Sequence, residues 1–188
     1  MTQSSPAERD RGRTVQIGFI PVCLSDALRL RAGADLGRRS GCAATSTLLA
    51  ELGGQTGIEE AEFAALSYAG VSALLISSSA RRLVLAAELA PDQLTDLGSP
   101  FGEITIAGLS WPQVRAIFVD EPTASQAVTS ARQALGDGHG EPTLASAVDV
   151  PEVSQLLDGF DLLWFAPEEV DQLGEDDDLT RIAGNQAD

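Results

Sequence analysis

The 188-residue chain contains no lysine. Its twelve basic residues are all arginine, set against 28 acidic ones for a formal net charge of −16. A GxxxxGK[ST] phosphate loop needs a lysine, so Walker-type nucleotide binding is excluded. Positive charge is also too sparse to hold a phosphate backbone. Tight basic pairs occur in the body of the chain only at Arg38-Arg39 and Arg81-Arg82, and the overall field repels polyanions. Nucleic acid is therefore not an expected partner. The arginines are scattered, which fits GC-rich coding better than selection for bidentate carboxylate recognition.

Other residues are scarce in telling ways. Histidine occurs once, as His139, in a glycine-rich loop over residues 136–142. It has no nucleophile or carboxylate at motif spacing and reads as a solvated loop residue, because general-base chemistry needs a preorganised site. The only cysteines, Cys23 and Cys42, do not make a CxxC pair. Residues 1–13 are polar and charged and lack the apolar stretch of a secretory leader. Both thiols are thus expected buried and unbridged in a reducing cytoplasm. Gly33, Gly37 and Gly41 do not form GxGxxG, which argues against a dinucleotide site. No metal motif occurs, and neither a metal nor another cofactor is expected. The most apolar stretch, residues 58–77, is short for a membrane span and is interrupted by Glu62, Ser67 and Ser72.

What is present describes one folded unit. With 44% apolar residues, the length suits a single domain with its own core. Residues 1–13 read as a disordered arm, 14–173 as the globular domain, and 174–188, with Glu175 to Asp178 all acidic, as a disordered tail. Strands are predicted at 15–21, 42–46, 82–88, 102–107, 115–120 and 161–165 from β-branched and apolar runs bounded by Gly and Pro. Helices are predicted at 25–31, 47–52, 58–77, 123–135, 143–157 with a break at Pro151, and 168–173. The 58–77 helix opens on Glu59, Glu60 and Glu62, which suits the positive end of a helix dipole. Its large apolar residues point nearly all round, so it is expected to be buried on several sides. The expected fold is α/β or α+β: a mixed sheet of about five strands covered by helices, with a long buried central helix.

Carboxylates near strand ends are the candidate functional groups, since open sheets place ligands there. Asp120 and Glu121 end one strand, Glu168 and Glu169 follow another, and Glu62 lies on the long helix. Three converging acids would bind a divalent cation through oxygen; the plainer expectation is that Asp120 caps a turn and the glutamates face water. Trp164 and Phe165 suit an anchor for a partner protein, although an aromatic in an apolar strand is first expected in the core.

Five segments in order, VQIGFIP at 15–21, EEAEFAAL at 59–66, RRLVLAAE at 81–88, VRAIFVDEP at 114–122 and LLWFAPEE at 162–169, resemble an uncharacterised family of small actinobacterial proteins, a domain of unknown function. The resemblance covers about residues 14–173. It carries no activity with it, but Glu59, Glu62, Asp120, Trp164 and Glu168 all fall inside the shared segments. Members often have histidine where this chain has Phe118; a catalytic histidine there would leave this chain inactive. The leading expectation is a non-enzymatic cytoplasmic protein that binds a partner protein with a basic surface through Glu62, Asp120, Trp164 and Glu168. The alternative is a small hydrolase or metal-assisted enzyme using Asp120, Glu168 and Glu62.

Overall fold

The computed structural model describes residues 15–53, 55–136, 138 and 141–173. The arm at 1–13, the tail at 174–188 and His139 lie outside the described residues. Seven strands form one sheet: β1 (Gln16–Pro21), β2 (Arg39–Ala43), β3 (Leu83–Leu89), β4 (Leu94–Asp96), β5 (Glu103–Ile106), β6 (Val114–Asp120) and β7 (Leu162–Phe165). Their spatial order is β4-β5-β2-β1-β3-β6-β7, and each pairing is antiparallel. The mixed helix-and-sheet class holds, as an α+β arrangement, while the sheet is larger than the five strands expected and not mixed in direction.

The direction of the strands follows from the helices. α1 (Leu24–Arg31) returns the chain from β1 to β2, and α2 (Ser46–Leu52) leads into α3 (Ile58–Ile76). At 1.5 Å per residue, α3 is about 28 Å long, enough to carry the chain back along the sheet. β3 therefore re-enters from the end where β1 finished and pairs with it antiparallel, from Gln16↔Leu89 to Pro21↔Val84. α4 (Ser125–Gly136), α5 (Leu144–Ala147) and α6 (Pro151–Gly159) complete that layer, with Pro151 at the start of α6 as a ring without an N–H requires.

Two cores result. Phe19, Cys42, Val84, Ala86 and Ala116 face α2 to α6. Ile20, Leu85, Ile104 and Ile117 face α1 together with Val170 and Leu173. Arg31 of α1 sits over the Trp111 ring at 5.7 Å on this second side, within range of a cation–π contact.

The long helix α3 corrects one expectation. Its buried residues are small: Ala61, Ala65, Ala69, Gly70 and Ala73, with Val71 and Leu74. Alanine every fourth residue lets the helix lie close on the sheet. The bulky residues that suggested burial all round are partly outside, with Phe63 65% exposed and Ile58 and Ile76 also exposed. β2 is shifted too, spanning Arg39–Ala43 rather than 42–46, because Thr45 Oγ1 accepts the Leu48 N–H at 3.2 Å and starts α2. Gly41 is needed in β2, where a Cβ would meet the Phe19 carbonyl oxygen at 2.6 Å.

Small residues rather than large ones thus fix the helix layer. Ala69→Leu should destabilise the protein by about 1–3 kcal/mol, as overpacking does. Phe63→Ala should change stability by no more than about 0.5 kcal/mol. Urea unfolding of both variants measures the contrast.

Candidate functional site

The end of the sheet where β3 begins and β6 finishes is built around a buried charge pair. Arg82 is 1% exposed and Asp120 is 0% exposed. The Arg82 guanidinium donates through Nη2 to Asp120 Oδ1 at 2.7 Å and through Nε to Oδ2 at 3.0 Å. The Arg82 backbone N–H donates to Oδ2 at 2.6 Å. Main chains join in: the Asp120 N–H donates to the Arg82 carbonyl at 3.1 Å, and Arg81 Nε donates to the Asp120 carbonyl at 2.8 Å. Both carboxylate oxygens are therefore spent, which is what lets an ionised pair survive burial.

Arg82 reaches one element further. Its Nη2 also donates to the carbonyl of Phe160 at 3.0 Å, two residues before β7, and Asp120 stands opposite Leu162 in the β6–β7 register. The pair thus sets where β7 starts. Gly70 of α3 lies against this corner: a Cβ there would be tight on Leu162 Cδ1 at 3.3 Å and in ordinary contact with Arg82 Nη1 at 3.7 Å. A third guanidinium, Arg132 of α4, donates through Nε to the Leu74 carbonyl at 3.2 Å. Burial pulls its pKa below the ordinary arginine value, against the opposing charge of Asp120.

β7 itself is an edge strand whose sole strand partner among the described residues is β6. Leu163 and Trp164 point to opposite faces, opposite Val119 and Phe118 of β6. Leu163 is 43% exposed and Trp164 is 60% exposed. The expectation that Trp164 belongs to the core is thereby corrected: the helices cover Leu162 at the start of β7 but not Trp164, and among the described residues no strand lies beyond β7. Phe165, by contrast, packs half-buried on the second core. The rim is acidic, with Asp158, Asp161, Glu168 and Asp171 all exposed. No arginine stands between Arg132 and Arg181.

The four sequence candidates therefore divide. Asp120, Trp164 and Glu168 all belong to the β6–β7 corner, but in different roles. Asp120 is neither a turn cap nor a free ligand, being wholly engaged with Arg82. Glu168 is exposed at the start of the helical turn Pro167–Glu169. Glu62 lies half-buried near the start of α3, about 12 Å along the helix axis from Gly70, which touches the ion pair. Among the described residues, no group of three His, Cys, Asp or Glu is placed to hold a metal ion.

Arg82 was missed as a functional position, having read as the first residue of a strand. The signal was there: a charge opening an otherwise apolar, buried run needs a carboxylate partner. The cysteines are free, with Cys42 buried and Cys23 partly exposed. Burial, reinforced by the charge of Glu103 and opposed by a hydrogen bond from Ser72, pushes the Cys42 thiol up to about 12.

Three outcomes test this arrangement. Asp120→Ala leaves a buried, unpaired guanidinium and should cost about 3–5 kcal/mol of stability by urea unfolding. The double variant Arg82→Met, Asp120→Leu should recover most of that loss. At pH 8, a disulfide reagent such as DTNB should label Cys23 in the folded protein, while Cys42 reacts only after unfolding, because the thiolate is the nucleophile.

No curated protein and no solved structure matches the chain. A family model does match, over residues 18–173, which bears out the resemblance to an uncharacterised family. The chain belongs to DUF6912, a family of unknown function.

Proposed function

We propose that this protein is a non-enzymatic cytoplasmic binding domain whose β7 edge accepts an extended, basic segment of a partner protein as an additional strand. The observation that carries the reading is the exposure of Leu163 and Trp164 on an edge strand whose start is pinned by a buried ion pair. Edge strands offer unpaired backbone groups, and natural proteins usually shield them. The opposite edge, β4, follows that habit: it is three residues long and carries Asp96. β7 instead displays a tryptophan, the residue type most enriched where binding energy concentrates. Strand addition would supply main-chain hydrogen bonds, with side-chain contacts at Leu163 and Trp164 giving preference.

Charge selects the occupant. A second copy pairing antiparallel on β7 would bring Asp161 of one chain toward Glu168 of the other, and like charges across a pair are destabilising. A basic strand would meet those same acids favourably and associate faster at low salt. The absence of bridged cysteines is compatible with the reducing compartment proposed. Among the described residues, no helix is long and apolar enough to cross a membrane. The metal-assisted alternative has less support, since the oxygens of Asp120 are consumed by Arg82 and Glu62 lies far along α3.

The test uses a Trp111→Phe background, in which Trp164 is the only tryptophan left of two. A short peptide of alternating arginine and valine should shift the Trp164 emission to the blue and saturate. Further substitution of Leu163 by aspartate should weaken binding at least about tenfold, or about 1.4 kcal/mol, and added salt should weaken it too. An unchanged emission spectrum, or affinity indifferent to both Leu163 and salt, would refute the reading.

A further inference from the structure

Three strands away from β7, a cleft of about 410 Å³ opens beside the end of β1, the start of β2 and the last turns of α3. A volume of that order suits a small organic ligand. One wall is apolar, made by Leu75, Ile76 and Leu144, and the other carries Arg38, Arg39 and Ser40.

The charges in the cleft are unevenly satisfied. Asp26 is shared by two guanidinium groups: Arg39 Nη2 donates to Oδ2 at 3.1 Å and Arg29 Nη1 to Oδ1 at 3.1 Å. Glu103 Oε2 accepts the Ser99 hydroxyl at 2.6 Å. The Nε of Arg39 is buried and has no acceptor among the described residues, an expensive state for a charged donor. Arg38, next to it, is exposed and forms no ion pair among the described residues. One uncommitted cation, Arg38, thus lines the cleft beside the part-exposed Arg39 guanidinium and opposite an apolar wall.

We infer that this cleft binds a small monocarboxylate with an apolar body. Its carboxylate would be held by Arg38 and the part-exposed guanidinium of Arg39, and its tail would lie along Leu75, Ile76 and Leu144. Guanidinium groups match carboxylate oxygens geometrically. A single negative charge is favoured over two, because three guanidinium groups, Arg29, Arg38 and Arg39, face two carboxylates, Asp26 and Glu103, which leaves one positive charge to be met. A phosphate dianion would bring its second charge against Glu103 with no further cation to meet it. The inference does not depend on strand addition at β7, which involves none of these residues.

Hexanoate is the probe, followed by amide chemical-shift changes in the full-length, isotope-labelled protein. Saturable shifts should concentrate in residues 38–41 and 72–76. Acetate, which lacks the tail, and hexyl phosphate, which carries the second charge, should each bind at least about tenfold more weakly. Hexylamine should not bind there. Arg38→Gln should weaken hexanoate at least about tenfold while leaving the melting temperature unchanged, since Arg38 is exposed and supports no other residue. The inference is overturned if hexanoate gives no saturable shifts in these segments, if hexyl phosphate or hexylamine binds as well as hexanoate, or if Arg38→Gln binds unchanged.

Discussion

The ion pair between Arg82 and Asp120 joins three pieces of the chain at one point, the start of β3, the end of β6 and the turn before β7, and lies against a fourth, α3 at Gly70. Buried pairs of this kind contribute little net stability compared with apolar residues of similar size, because desolvation offsets the attraction. Their consequence is specificity. Only one register of β6 on β3 puts the Asp120 carboxylate beneath the Arg82 amide and guanidinium. Only one placement of Phe160 then satisfies the remaining Nη2 donor. β7 is short, four residues, and has little of its own to fix its position. The geometry of the exposed edge is therefore inherited from a wholly buried interaction.

The rest of the architecture prepares the same contrast between a fixed interior and an open rim. α3 lies close on the sheet because its inward face is alanine and glycine, so the middle of the sheet is covered by a thin, tightly seated helix. α4 and α6 continue the layer toward β6. Beyond them Trp164 extends past the cover, and Leu163 does so on the other face. Exposed acidic residues flank that strand in a stretch of sequence, between Arg132 and Arg181, that holds no arginine. The charge of the whole chain, −16, is thus expressed locally at the one edge that offers both backbone and aromatic contacts.

Much of this fold was legible in the sequence and some of it was not. β1, β3, β5, β6 and β7 announced themselves through β-branched or apolar runs, and the interruption at Pro151 separated α5 from α6 as its missing N–H demands. β4 carried no such signal: Leu94–Asp96 becomes a strand only because β5 offers Ile106 opposite Leu94. The antiparallel direction of every pair was hidden because it depends on where α3 delivers the chain. Asp120 and Trp164 were both singled out, but with their environments exchanged. The acid expected at a solvated turn is fully buried, and the aromatic first assigned to the core is outside. Periodicity reports which residues share a face, and it cannot report which strand ends up last in the sheet. Arg38 and Arg39 were visible as a basic pair, yet that Asp26 folds back onto the Arg39 guanidinium and leaves Arg38 unpaired among the described residues was not.

The central claim is that β7 is an open, preformed edge for a basic strand. Hydrogen–deuterium exchange of the full chain, with and without the arginine–valine peptide, tests it most directly, because an added strand protects backbone amides whatever side chains it carries. The account predicts new protection confined to residues 162–165, with β4 and β5 unchanged. Protection at β4 instead, or none in β7 at saturating peptide, would contradict it.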